Sequence, residues 1–182
     1  MFKKMNLFSK VNMKVLAFLA DRPESRFYGR ELAKKTGISI GAANGALNLL
    51  SKENLLSMEK RGALHFYSAN IRNPVVRQFK ALMNVMKLED MVKDISTVSE
   101  KVMLFGSCAT GTNRRSSDMD VYVLTREKRK ADELLRKHQA ASETKIQAII
   151  LETEKLAEFK RRNSHLYDQI NSGIILWDAN GP

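Results

Sequence analysis

One stretch, Val102 to Thr125, constrains this chain more than any other: VMLFGSCATGTNRRSSDMDVYVLT. An apolar run, Val102 to Phe105, halts at Gly106-Ser107, and ten residues then separate Ser107 from Asp118. Asp118-Met119-Asp120 opens a second apolar run. If that run is a strand, its side chains alternate between two faces, so Asp118 and Asp120 share one face and Met119 and Val121 the other. Two carboxylates so close repel unless a cation lies between them. Oxygen ligands of this kind suit Mg²⁺, which takes one or two carboxylates together with substrate phosphates. A Gly-Ser corner at the end of the preceding strand offers backbone N–H groups and a hydroxyl to a phosphate.

The combination of strand, Gly106-Ser107, spacer and Asp118-x-Asp120, with Ser117 just before the first carboxylate, resembles the nucleotidyltransferase superfamily that includes DNA polymerase beta. Within it, the resemblance is to the small, minimal prokaryotic members, and it covers roughly Ser99 to Asp178. It implies attack on the α-phosphorus of a nucleoside triphosphate, ATP foremost. It also implies Mg²⁺ or Mn²⁺ held by the catalytic pair Asp118 and Asp120. Gly106 and Ser107 would seat the terminal phosphates. Arg114 and Arg115, in the spacer, either neutralise phosphate charge or form a solvated loop.

Two positions depart from the family pattern. Active members usually carry a third carboxylate on the next core strand, read here as Thr144 to Leu151, where Gln147 stands instead. An amide forms hydrogen bonds but neither takes a proton nor balances metal charge as a carboxylate does. Glu143, Glu152 and Glu154 are the candidates to substitute for the third carboxylate, but each flanks the expected strand and none sits within it. The second departure is Thr110, where many members have arginine. Both bear on turnover more than on nucleotide binding, so two functions are to be weighed. One is transfer of a nucleotide to a protein or small-molecule hydroxyl. The other is transcription regulation through a catalytically degenerate, nucleotide-sensing domain.

The first part of the chain carries a different pattern. Leu7, Val11, Val15, Leu16 and Leu19 fall at helical spacing. Pro23 closes that helix, because a residue before proline is disfavoured in the α region. A second helix is expected from Tyr28 to Lys35, with Gly37 at its C-terminal turn. Ser39 is a candidate N-cap for a third helix, Ile40 to Glu53, that buries Ile40, Ala43, Leu47 and Leu50. Two short strands around Arg61-Gly62 complete the order. The series is similar to the winged helix-turn-helix family of prokaryotic transcriptional regulators, in which the third helix enters the DNA major groove. The resemblance implies groove contacts from Ser39, Gly41, Ala42, Asn44, Gly45 and Asn48, and backbone contacts from Lys52, Lys60, Arg61 and His65. Asn44 and Asn48 suit adenine edges, and the absence of arginine from this helix argues against strong guanine readout. Gly41 and Gly45 are poor helix formers, which suggests a close backbone approach to DNA or to a neighbouring helix.

Charge agrees with a polyanionic partner. The chain of 182 residues has a formal net charge of +11. Residues 1–72 hold 13 Lys and Arg against 5 Asp and Glu, a net of +8, whereas residues 73–182 hold 18 against 15, a net of +3. The excess therefore sits on the expected reader of double-stranded DNA; RNA would suit the same charge.

The expected architecture is α/β (α+β). A winged helix-turn-helix domain (1–72) and a linker helix (73–95) precede a nucleotidyltransferase-like domain (96–182) with a mixed sheet flanked by helices. The linker is read as one long helix to about Met91. Its apolar face seats either a second copy of the chain, giving a homodimer, or the transferase core. A short terminal strand is expected at Gly173–Asp178. No apolar run reaches transmembrane length and polar residues interrupt the N-terminal stretch, which argues for the cytoplasm and against a signal peptide or a membrane partner. Cys108, the lone cysteine, is either a redox-sensitive thiol or a small residue that fits its turn. His65, His138 and His165 lack metal-ligand spacing and are expected on the surface.

Overall fold

The computed structural model describes residues 7–181. It divides into two compact units, Met1–Lys80 and Ala81–Pro182. In the first unit, helix α1 (Lys10–Asp21) starts at Ser9, whose side chain accepts from the Asn12 N–H. Strand β1 (Phe27–Tyr28), helix α2 (Gly29–Thr36) and helix α3 (Ile40–Lys52) follow, then the hairpin β2 (Leu56–Arg61) and β3 (Leu64–Ala69). The three strands form an antiparallel sheet in the order β1-β3-β2. This is a winged helix-turn-helix fold. Gly37 closes α2 in the left-handed region, at φ 64°, and Ser39 caps α3 by accepting from the Ala42 N–H at 3.2 Å. The core gathers Val15, Leu16, Leu19, Leu32, Leu47 and Leu50 around Phe27 and Tyr67. The expectation for α3 is corrected at one residue. Ile40, at the first turn, is 48% exposed, and the buried face is Ala43, Ala46, Leu47 and Leu50.

The expected single long helix is two. Helix α4 (Pro74–Lys87) ends one residue before α5 (Glu89–Ile95), with the break at Leu88. Val76, near the start of α4, is fully buried in the first core, whereas Leu88, Met91 and Ile95 belong to the second. Val75, Leu82 and Met86 are exposed.

In the second unit, strand β4 (Lys101–Phe105) runs into the short helix α6 (Gly106–Thr110). Then come β5 (Met119–Thr125), α7 (Lys128–Ala141), β6 (Ile146–Glu152), α8 (Leu156–Arg162), α9 (Ser164–Asn171) and β7 (Ile174–Asp178). The sheet order is β6-β5-β4-β7, and the sheet is mixed: β5 and β6 are parallel, and the other pairs antiparallel. A parallel pair needs a crossover connection, which α7 supplies.

Strand alternation sorts the two faces. Val102, Leu104, Met119, Val121 and Val123 pack with α5 and α7 residues such as Met91, Ile95, Ala131 and Leu135. Met103, Phe105, Tyr122, Leu124 and Leu151 point the other way, together with Ile170 of α9 and, half-buried, Ile149, Leu156, Phe159 and Leu166. Along β5, this second face is apolar at Tyr122 and Leu124 and carboxylate-bearing at Asp120. Gly173 lets the last strand start close to β4, since a Cβ there would lie 2.3 Å from the Leu104 carbonyl oxygen. Among the described residues, no helix is long and apolar enough to cross a membrane.

Candidate active site and nucleic-acid interface

The site begins where β4 ends. Gly106 has φ +67°, in the left-handed region that side chains rarely adopt, and a Cβ there would lie 2.5 Å from Asp120 Oδ2. The β4–β5 register sets Phe105 opposite Asp120 and so brings the Gly106 corner against that carboxylate. Glycine is required twice, by conformation and by contact. The corner turns straight into α6, not into an open loop. The first N–H groups of a helix lack intrahelical acceptors and so stay available for an outside oxygen. Ser107 is half-buried on that first turn. Its carbonyl accepts from the N–H groups of Gly111, Thr112 and Asn113, which folds the spacer back on α6.

Buried contacts hold the spacer. Asn84 donates from Nδ2 to the Cys108 carbonyl at 2.9 Å and to Asn113 Oδ1 at 3.1 Å. Cys108 is buried and its Sγ lies 3.4 Å from the Asp118 carbonyl oxygen, tying α6 to the start of β5. The small-residue reading of Cys108 describes this placement. Ser117 Oγ accepts from the Arg114 N–H, making a tight polar turn in which Arg114 and Arg115 are exposed. The Thr110 hydroxyl lies 3.2 Å from the Ser107 carbonyl and 2.8 Å from Thr112 Oγ1. It is engaged locally and does not replace an arginine.

Asp118 and Asp120 are both half-buried. Burial, and after it the neighbouring Asp118 charge, raises the Asp120 pKa above the ordinary carboxylate value of 3.8. The parallel register places Gln147 beside Asp120. Ile149 and Leu151 lie in the core on the Asp120 side of the sheet, and so by alternation Gln147 faces that side too. Lys145 follows the same alternation, and its Nζ is 3.0 Å from Asp118 Oδ2. The position of the third acid thus holds an amide, and the adjoining position holds a cation. Among the described residues, no cluster of three or more His, Cys, Asp or Glu gathers.

Glu152 is the last residue of β6 and pairs with Lys155, a correction to its expected flanking position. It has the opposite parity to Gln147 and stands five residues away, about 17 Å along a strand. It cannot supply the missing carboxylate. Tyr122 shares the Asp120 face, but burial and then Tyr167 push its phenol up to about 12. At neutral pH it keeps its proton. Sequence reading missed Lys145 and Asn84. The signal for Lys145 was its spacing of two from Gln147, which becomes informative once the β5–β6 register is known. His138 is also corrected: its side chain is 19% exposed and lies 2.9 Å from Asp94 Oδ2, whereas His65 and His165 are exposed.

In the first unit, Gly41, Asn44, Gly45, Asn48 and Lys52 are exposed along α3, and Ala42 is half-buried. A Cβ at Gly41 or Gly45 would meet nothing within 4 Å, so no neighbouring helix accounts for these glycines. Asn44 folds over α2, since a Cβ on Gly29 would come 2.2 Å from its Oδ1. Exposed Ser39 already uses its oxygen in the cap. In the hairpin, Lys60 is exposed, and Arg61 is held by Glu59 at 2.8 Å and lies over the Phe66 ring at 5.4 Å. Glu59 also meets Arg26 at 3.1 Å. Gly62, with φ 59°, takes the first position of the two-residue turn, where type II′ hairpins place glycine.

A mixed sheet with a Gly-Ser corner set against an Asp-x-Asp strand defines a nucleotidyltransferase domain. The family described as polymerase beta, nucleotidyltransferase matches residues 86–181, just over half of the sequence. The chain belongs to that family. No curated protein matches it. Among solved structures, the transcriptional regulator BldR from Sulfolobus solfataricus aligns at TM-score 0.39 and 17% identity, over 50% of this chain and 66% of the regulator, just under two thirds of its length. A toxin-antitoxin solved with AMP-PNP aligns at TM-score 0.39 and 23% identity, over 53% of this chain and 75% of that one.

Proposed function

We propose that this is a DNA-binding protein whose second unit transfers a nucleotide from a nucleoside triphosphate, ATP foremost, to a hydroxyl of a protein or small molecule. The observation that carries the reading is the Asp118–Asp120 pair seated against Gly106. The donor chemistry fits a divalent ion: two hard oxygen donors share one face, and the charge of one raises the pKa of the other, a repulsion that a cation relieves. Asp118 and Asp120 would hold Mg²⁺ or Mn²⁺, which when bound supplies positive charge to the triphosphate and the leaving oxygen. Gly106 keeps the floor of the site open. Ser107 and the first N–H groups of α6 bind phosphate oxygens, and Arg114 and Arg115 add positive charge beside them. Asn84 and Cys108 act through the spacer, holding it where the carboxylates need it.

The register Asp120↔Gln147 favours a second reading. With an amide in place of the third acid, the acceptor hydroxyl lacks a carboxylate to take its proton. The domain then senses nucleotide and the protein acts as a transcriptional regulator. For DNA, the exposed and unobstructed face of α3 supports major-groove entry, with Asn44 and Asn48 offered to adenine and Lys52, Lys60 and Arg61 to phosphates.

The test is incubation with α-labelled ATP and Mg²⁺, alone and with cell lysate. Label transfer that disappears in Asp118→Ala and in Asp120→Ala supports the enzyme. Nucleotide and duplex binding without any transfer support the regulator. Absence of nucleotide binding overturns both.

A further inference from the structure

We propose that Lys145 gates cation entry: its ammonium occupies the charge position beside Asp118 that a divalent ion has to take. The inference rests on the metal-binding reading of Asp118 and Asp120. Three observations carry it.

First, the contact is built by the sheet. The Met119 N–H donates to the Lys145 carbonyl at 2.8 Å, and Met119↔Ile146 and Asp120↔Gln147 are register partners. Lys145 is therefore fixed next to Asp118 across 27 residues of sequence, and its Nζ is 3.0 Å from Asp118 Oδ2. Second, the next position along the same face, two residues on, is the neutral Gln147, so Asp118, Asp120 and Lys145 together carry one net negative charge. A carboxylate at 147 would raise that to two, and withdrawal of the lysine would do the same. Third, the Lys145 side chain is 70% exposed and that of Asp118 33%, so the ammonium can leave for water without opening a cavity.

A free divalent ion thus meets a partly neutralised site and competes with a resident cation. An ion arriving with a triphosphate does not face the same contest, because the phosphates offer the displaced ammonium a new anionic partner.

The test is titration calorimetry of the full chain with Mn²⁺ alone, at low salt. The chains compared are the wild type, Lys145→Gln, Lys145→Arg and Asp120→Asn, with thermal melts to confirm that each is folded. Lys145→Gln is expected to bind Mn²⁺ about 5-fold more tightly than the wild type, the size of an exposed ion pair. Lys145→Arg keeps the charge and is expected to match the wild type; Asp120→Asn is expected to be weakest. Equal affinity in the wild type and Lys145→Gln, with loss in Asp120→Asn, overturns the gate but leaves the metal site standing. No Mn²⁺ binding in any chain, Lys145→Gln included, overturns the metal reading and the gate with it.

Discussion

The exposed face of α3 and the carboxylate corner of β5 use glycine for opposite purposes. Gly41 and Gly45 have open space around them, whereas Gly106 has an aspartate oxygen where its side chain would be. On α3 the missing side chains leave backbone accessible to something outside the molecule. At Gly106 the missing side chain admits a neighbour from inside it. The same contrast holds for charge. Lys52 and Lys60 are exposed on the first unit. In the second, the charged groups Asp118, Asp120 and Lys145 constrain one another. A surface that reads a polyanion gains from solvated, movable cations. A pair of like charges on one strand exists only where packing and counter-charge hold it.

Four measurements would break or sharpen this contrast. Gly106→Ala should have the largest effect. Its Cβ collides with Asp120 and its φ is left-handed, so nucleotide transfer or binding should fall about 100-fold, since small misplacements are that costly. Stability should drop by about 1–3 kcal/mol, read by urea unfolding. A variant with wild-type binding would show that the corner is not tight.

Neutralising Lys60 and Arg61 together should come next. The slope of log K against log salt for duplex binding should shrink by about 2, one for each lost phosphate contact. A slope that does not move would remove the hairpin from the interface.

Gly45→Ala should separate stability from binding. With nothing within 4 Å of the new methyl group, α3 should gain about 1 kcal/mol. DNA affinity should fall in the same variant if the backbone approaches the groove. A stabilised protein with unchanged DNA affinity would give these glycines no role in contact.

The smallest effect concerns Asp120. Its pKa is raised in the folded protein, so its ionised form is disfavoured there. This penalty is fully present above the folded pKa and is lifted as pH falls through it. In chelator, Asp120→Asn should therefore melt above the wild type at neutral pH, and the gap should close as pH falls toward the ordinary aspartate range. A constant gap across that range would assign the effect to something other than ionisation.

Much of the fold was legible because it rests on local chemistry. Gly37 and Ser39 announced the end of one helix and the start of the next, and the structure places them there. Alternation through Asp118-Met119-Asp120-Val121 set Met119 and Val121 apart from Asp120, and the structure packs both of them into the core on the α5 and α7 side of the sheet. The terminal strand was visible as a short apolar run after Gly173. What was not legible depended on partners distant in sequence. Ile40 sits at helical spacing with Ala43 and Leu47, but the first turn of α3 reaches past the core and leaves it exposed. Continuous apolar spacing through Leu88 read as one helix, yet the chain breaks there and Leu88 turns into the second core. His138 had no nearby partner in sequence; its acid, Asp94, lies 44 residues earlier.

By itself, the sequence determined the Gly-Ser corner and, through strand period, an Asp-x-Asp pair expected on one face. That Gln147 stands where a third acid is expected was implied by the family resemblance, and that Gly106 makes room for Asp120 came from the structure. Only the tertiary structure decided that a lysine stands against the first aspartate, because a parallel pairing between β5 and β6 has no local signature. Its register is set by the whole buried face of the sheet, and a shift of one residue would turn Lys145 and Gln147 away from the site.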